Sequence, residues 1–127
     1  MRSWSIAFVL LSSLAVQSPA TGDDWYEGEY EKCAGEASTA DIVQCVDELY
    51  KQWDARLNAA YGEIMADMVD SRKTELRDVQ RSWIAYRDAN CNFHATGEGT
   101  IARIEGSVCM YALTRDRANE LEMMLTQ

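Results

Sequence analysis

The stretch Gln80–Cys91, reading QRSWIAYRDANC, limits the fold more than any other part of the chain. Trp83, Tyr86 and Arg87 crowd into one helical turn, and the run ends on a cysteine. A second cysteine, Cys109, follows eighteen residues later, and Cys33 and Cys45 lie upstream. Four cysteines in an exported chain read as two bridges, for which three connectivities exist. The pairing Cys33–Cys45 with Cys91–Cys109 is favoured, because each pair flanks one expected loop and the start of a helix. Closing the longer loop is worth about 3 kcal/mol in the chain-entropy account.

The export assignment rests on residues 1–20, which read as a signal peptide. Arg2 supplies a positive start and Ile6–Val16 an apolar stretch, and Ser18-Pro19-Ala20 places small residues for cleavage after Ala20. The apolar run is shorter than the roughly 20 residues a membrane span needs. No cysteine stands at the cleavage site to carry a lipid anchor, so the expected product is a soluble periplasmic or secreted chain of 107 residues, 127 minus 20.

Loss of the leader removes one basic residue and leaves 11 basic against 21 acidic side chains, a formal net charge of −10. Nucleic acid is excluded as a partner, because phosphate binding needs clustered Lys and Arg. A cationic protein fits, since a field of this sign speeds its approach.

Metal and catalytic chemistry find little footing, and no cofactor is expected. There is no C-x-x-C pair and His94 is the only histidine, whereas a tetrahedral zinc site wants four ligands. Cys91 beside His94 imitates a nucleophile and base, but an oxidised cysteine attacks nothing. Gly97-Glu98-Gly99 lacks the pattern, the preceding strand and the basic partner of a phosphate loop.

Periodicity predicts an all-α fold: a three-helix bundle with a long helical hairpin, stapled by disulfides. Residues 21–37 form an acidic, aromatic N-terminal arm without clear periodicity, and 38–127 the helical domain. Ser38 with Asp41 marks a helix start. Ile42, Cys45, Leu49, Trp53, Leu57, Tyr61, Ile64, Met65 and Met68 then recur at three- and four-residue steps, up to a break at Asp70-Ser71. A second helix is expected over about 72–92, with Leu76, Val79, Trp83, Tyr86 and Asn90 inward and Ile84 and Cys91 widening that stripe. Thr96–Gly106 reads as a glycine-bearing loop. A third helix is expected from Ser107, burying Met110, Leu113, Leu121, Met124 and Leu125. The short turn between the first two helices makes them an antiparallel hairpin. A hydrogen bond between the amides of Asn58 and Gln80 is expected to set its register.

Leu57-Asn58 with Tyr61, then Gln80, Trp83, Tyr86-Arg87-Asp88 and Cys91, the glycine-containing loop, Cys109, and Thr114-Arg115 with Arg117 and Leu121 form a pattern. It resembles the lysozyme inhibitor LprI N-terminal domain family, over about Cys33 to Leu125. The resemblance implies a periplasmic helical domain that binds a cationic lysozyme and blocks it. It also leaves room for an interaction module with no effect on lysozyme. The shared positions look like scaffold: helical spacing has Trp83 entering the core with Arg87 stacked on it one turn later.

Partner-binding residues are therefore sought among the acids. Glu98 and Glu105, on the loop closed by Cys91–Cys109, rank first, because a preordered loop binds at lower entropic cost. Asp23, Asp24 and Glu27 of the arm come next, although Trp25 and Tyr30 also suit an arm that covers the bundle. Glu63, Asp67 and Asp70 close the first helix at the wrong end of its dipole. They are expected to be neutralised by Arg72, Lys73 and Arg77 at the start of the second, unless they face outward to grip a partner.

Overall fold

A computed structural model describes residues 22–127; the expected signal peptide, 1–20, lies outside the described residues. The arm forms two short 3-10 helices, Gly22–Tyr26 and Gly28–Tyr30, leading into α1 (Glu31–Ala34). Three long helices follow: α2 (Thr39–Asp67), α3 (Asp70–Ala95) and α4 (Ile101–Met124). The fold is all-α and stapled as expected, by Cys33–Cys45 and Cys91–Cys109, with Cα–Cα separations of 5.5 and 5.4 Å.

The start of α2 follows from its cap. Ser38 Oγ accepts the Asp41 amide at 3.1 Å while its hydroxyl donates to the Asp41 carboxylate at 2.6 Å. One orphan donor of the first turn is thereby satisfied. Met68 and Val69, both extended, break the chain between α2 and α3. Asp70 does not close the first helix as the pattern suggested: it lies in the first turn of α3, where the helix dipole favours an acid.

α4 is the common partner of α2 and α3 and the centre of the molecule. Val108, Cys109, Tyr111, Ala112, Thr114, Ala118 and Leu121 are completely buried. This corrects two expectations. The third helix begins at Ile101, not Ser107, and Met124 and Leu125 at its far end are exposed. A helix wedged between two others needs no single apolar face, so its outward stripe is faint.

The start of α4 depends on Gly106, which is helical and not part of a loop. A Cβ there would stand 2.5 Å from Ala95 Cβ and 2.9 Å from Ala95 Cα, so only glycine lets the two helices close. The Cys91–Cys109 bridge ties the same pair of helices one turn away.

Two packed clusters stack along α4. The first joins Cys33, Val46, Ile104, Val108, Tyr111 and Ala112, with Trp25 and Tyr30 of the arm packed against it. The second joins Leu57, Ala60, Ile64, Leu76, Ala118 and Leu121, and Trp53 packs against both. Each fully buried large side chain contributes about 1.5–3 kcal/mol.

Candidate functional site

α3 shows where periodicity misled. Its buried face is Leu76, Gln80, Arg87 and Cys91, with Trp83 half-buried between them. Val79, Tyr86 and Ile84, expected inside, are 52%, 59% and 39% exposed. Polar partners on α4 explain the rotation: Arg117 Nε donates to Gln80 Oε1 at 3.0 Å, and an Arg87 guanidinium nitrogen reaches Thr114 Oγ1 at 3.5 Å. A buried polar group that finds its partner is tolerated in a core. Two such groups therefore displaced two apolar ones.

The expected stacking of Arg87 on Trp83 is present, with the guanidinium carbon 5.0 Å from the ring centre. The expected Asn58–Gln80 bond is not. Asn58 is exposed and donates to Asp54 one turn earlier at 3.2 Å, because Gln80 faces α4. Leu57 and Leu121 are buried and Tyr61 is partly so.

Arg87 forms the middle of a furrow between α2 and α3. One cleft of about 650 Å³ is bounded by Val43, Asp47, Tyr50, Asp88, Arg103 and Met110, among others, and a smaller one of about 250 Å³ adjoins it near Trp83. Its charges are matched in place. Asp88 holds Arg87 at 2.8 Å, and Asp47 holds Lys51 at 2.9 Å. Tyr50 sits among Asp47, Asp54 and Asp88, and its phenol is pushed up, first by burial and then by Asp54.

The arm packs against α2 and α4 and is held by polar bonds. Glu29 accepts from Trp53 Nε1 at 2.6 Å and from the Tyr111 hydroxyl at 3.3 Å. Arg115 donates to the Asp24 carbonyl at 3.4 Å. Trp25 meets His94 edge-on at 5.6 Å, and Tyr26 meets Tyr30 at 5.2 Å. The arm therefore covers the bundle, and Cys33–Cys45 anchors its end to α2.

These contacts bring two of the three acidic candidate sets to one end. Glu98 lies in the 96–100 loop, whereas Glu105 stands on α4 and not on that loop. Glu105 faces the arm, where its charge adds to the burial that raises the Tyr26 phenol. Asp23, Asp24 and Glu27 belong to the arm itself, with Asp24 and Glu27 exposed. Glu63, Asp67 and Asp70 are at the opposite end, all exposed. The expected neutralisation across the turn is not the arrangement found. Among the described residues Lys73 pairs with Asp70 at 3.3 Å and Arg72 with Glu75, each inside the first turns of α3.

Among the described residues no three His, Cys, Asp or Glu side chains group as a metal site would require, and no helix is long and apolar enough to cross a membrane. Sequence reasoning missed Glu29, whose tie to Trp53 fixes the arm, and Phe93, which is 75% exposed beside His94. Phe93 carried a signal: it falls off the inward stripe while keeping a large apolar side chain.

A family model described as "Lysozyme inhibitor LprI" matches residues 31–121. The chain is also 34% identical over 110 residues to "Uncharacterized protein R02472" of Rhizobium meliloti (strain 1021), covering 73% of this chain and 78% of that protein. No solved structure matches.

Proposed function

This chain belongs to the lysozyme inhibitor LprI family, and from that premise we propose that it is an exported protein that binds a cationic lysozyme and blocks its activity by docking. The match over residues 31–121 carries the proposal. A formal net charge of −9, or −10 once the leader is removed, supports it, because opposite charge speeds and favours encounter with a basic enzyme. So does the rigid bundle. Two bridges and a packed α4 present a preordered surface, which lowers the entropic cost of binding. Disulfides persist in oxidising compartments, in keeping with a periplasmic or secreted location.

A second possibility, an interaction module with no effect on lysozyme, is favoured by one observation. Of the residues that carry the family pattern, Leu57, Gln80, Arg87, Arg117 and Leu121 are buried, so the pattern specifies scaffold and leaves the surface free to vary. A cell-wall lysis assay with purified protein, at low and high salt, separates the two. Inhibition at micromolar concentration that weakens with salt is expected. Full lysozyme activity in low salt would leave only the interaction module.

A further inference from the structure

We infer that the lysozyme-binding face is the arm end of the bundle, with Phe93 at its centre. This assignment rests on the proposed inhibition and narrows it to one surface. At this end the arm, the first turns of α2 and α4 and the last turn of α3 meet.

Charge is concentrated there. Residues 24–51 and 92–107 carry ten acidic and three basic side chains, while 52–91 and 108–127 carry ten acidic and eight basic ones. Seven of the nine excess negative charges of residues 24–127 therefore lie on the smaller part. The furrow between α2 and α3 borders this end and adds no net attraction for a cationic partner, since it sets Asp47 and Asp88 against Lys51 and Arg87. The Asp47–Lys51 pair cancels within the arm-end count and leaves its excess unchanged. The far end pairs Asp70 with Lys73 and Glu122 with Arg56.

Apolar surface coincides with that charge. Phe93 is 75%, Ile101 54% and Tyr26 39% exposed. They lie around a continuous path: Phe93 adjoins His94, His94 meets Trp25, and Tyr26 faces Glu105, one turn along α4 from Ile101. An exposed aromatic centre inside a charged rim is the usual anatomy of a protein-binding patch. The support beneath it is stiff, since both disulfides and the Gly106–Ala95 closure lie at this end. A basic protein surface meets the rim by charge and seats Phe93 against its own apolar atoms.

The test measures Kd for a cationic c-type lysozyme with the whole exported chain and three variants, each checked for fold by circular dichroism. Phe93→Ala should weaken binding about tenfold or more, as loss of an anchoring aromatic does. The double change Glu27→Gln with Glu98→Gln should weaken it several-fold at low salt and less at high salt. The matched double change at the far end, Glu63→Gln with Asp67→Asn, should leave Kd within about twofold, the scale of a distant rim charge. Wild-type binding that survives both arm-end changes, or that is lost in the far-end variant, would overturn the face and leave inhibition standing. A wild-type chain that neither binds nor inhibits would remove the inhibitor function, and this face with it.

Discussion

Arg117 and Gln80 join α4 to α3 through a buried hydrogen bond of 3.0 Å, with 7% and 6% of their surfaces exposed. The guanidinium also reaches Glu120 at 2.8 Å, and among the described residues no buried side-chain polar atom lacks a partner. Removing Gln80 leaves the Arg117 Nε–H without its acceptor in a medium that solvates it poorly, although Glu120 still holds the far side of the guanidinium. Gln80→Ala should therefore cost about 1–3 kcal/mol in denaturant unfolding, and the double change with Arg117→Ala should cost less than the sum. Additive losses would show that the two side chains act independently.

Gly106 and Gly62 should respond in opposite directions to alanine. Both are helical, and alanine gains about 1 kcal/mol over glycine in a helix interior. At Gly62 nothing stands within 4 Å of the new Cβ, so Gly62→Ala should raise the melting temperature. At Gly106 the new Cβ meets Ala95 backbone at 2.9 Å, and overpacking of about 1–3 kcal/mol outweighs the propensity gain. A Gly106→Ala protein as stable as the parent would mean that α3 and α4 can part without cost.

Loss of the Cys91–Cys109 bridge, by Cys91→Ala with Cys109→Ala, should lower unfolding free energy by about 3 kcal/mol. Loss of Cys33–Cys45 removes the covalent tie of the arm to α2 and leaves only its polar and packing contacts, so amide exchange should quicken first in residues 24–34 and least in α4. Equal exchange across the chain would contradict a locally anchored arm.

Alkaline conditions should destabilise the fold. The phenols of Tyr26, Tyr50 and Tyr111 are all raised, chiefly by burial; around Tyr111 the hydrogen bond from Arg115 lowers it and Glu29 raises it. The unfolded chain then loses these protons first, near pH 10, and binds fewer protons than the folded one. Stability is complete below that pH and falls as pH rises through the folded values. The urea midpoint should hold up to about pH 9 and drop as pH rises past about 10, and less steeply in Tyr111→Phe. A flat profile would show that these phenols are solvated.

The helices and bridges were legible in the sequence because their causes are local. Ser38 and Asp41 announce the cap of α2, the apolar steps from Ile42 to Met68 trace its inner face, and flanking loops suggest both cysteine pairs. The rotation of α3 was not legible, since Gln80 and Arg87 become inward residues only when Arg117 and Thr114 stand opposite. Gly106 looked like a loop residue because its reason for being glycine is Ala95, eleven positions away. The acidic candidates were visible singly. Only the packing of the arm brings Glu27, Glu98 and Glu105 to one end and leaves Glu63 and Asp67 at the other.

Isothermal titration of residues 21–127 with a cationic c-type lysozyme tests the central claim most directly. A saturable 1:1 complex at low salt, with affinity that falls as salt rises, is the predicted result. Absence of saturable binding at micromolar concentrations in low salt would contradict it.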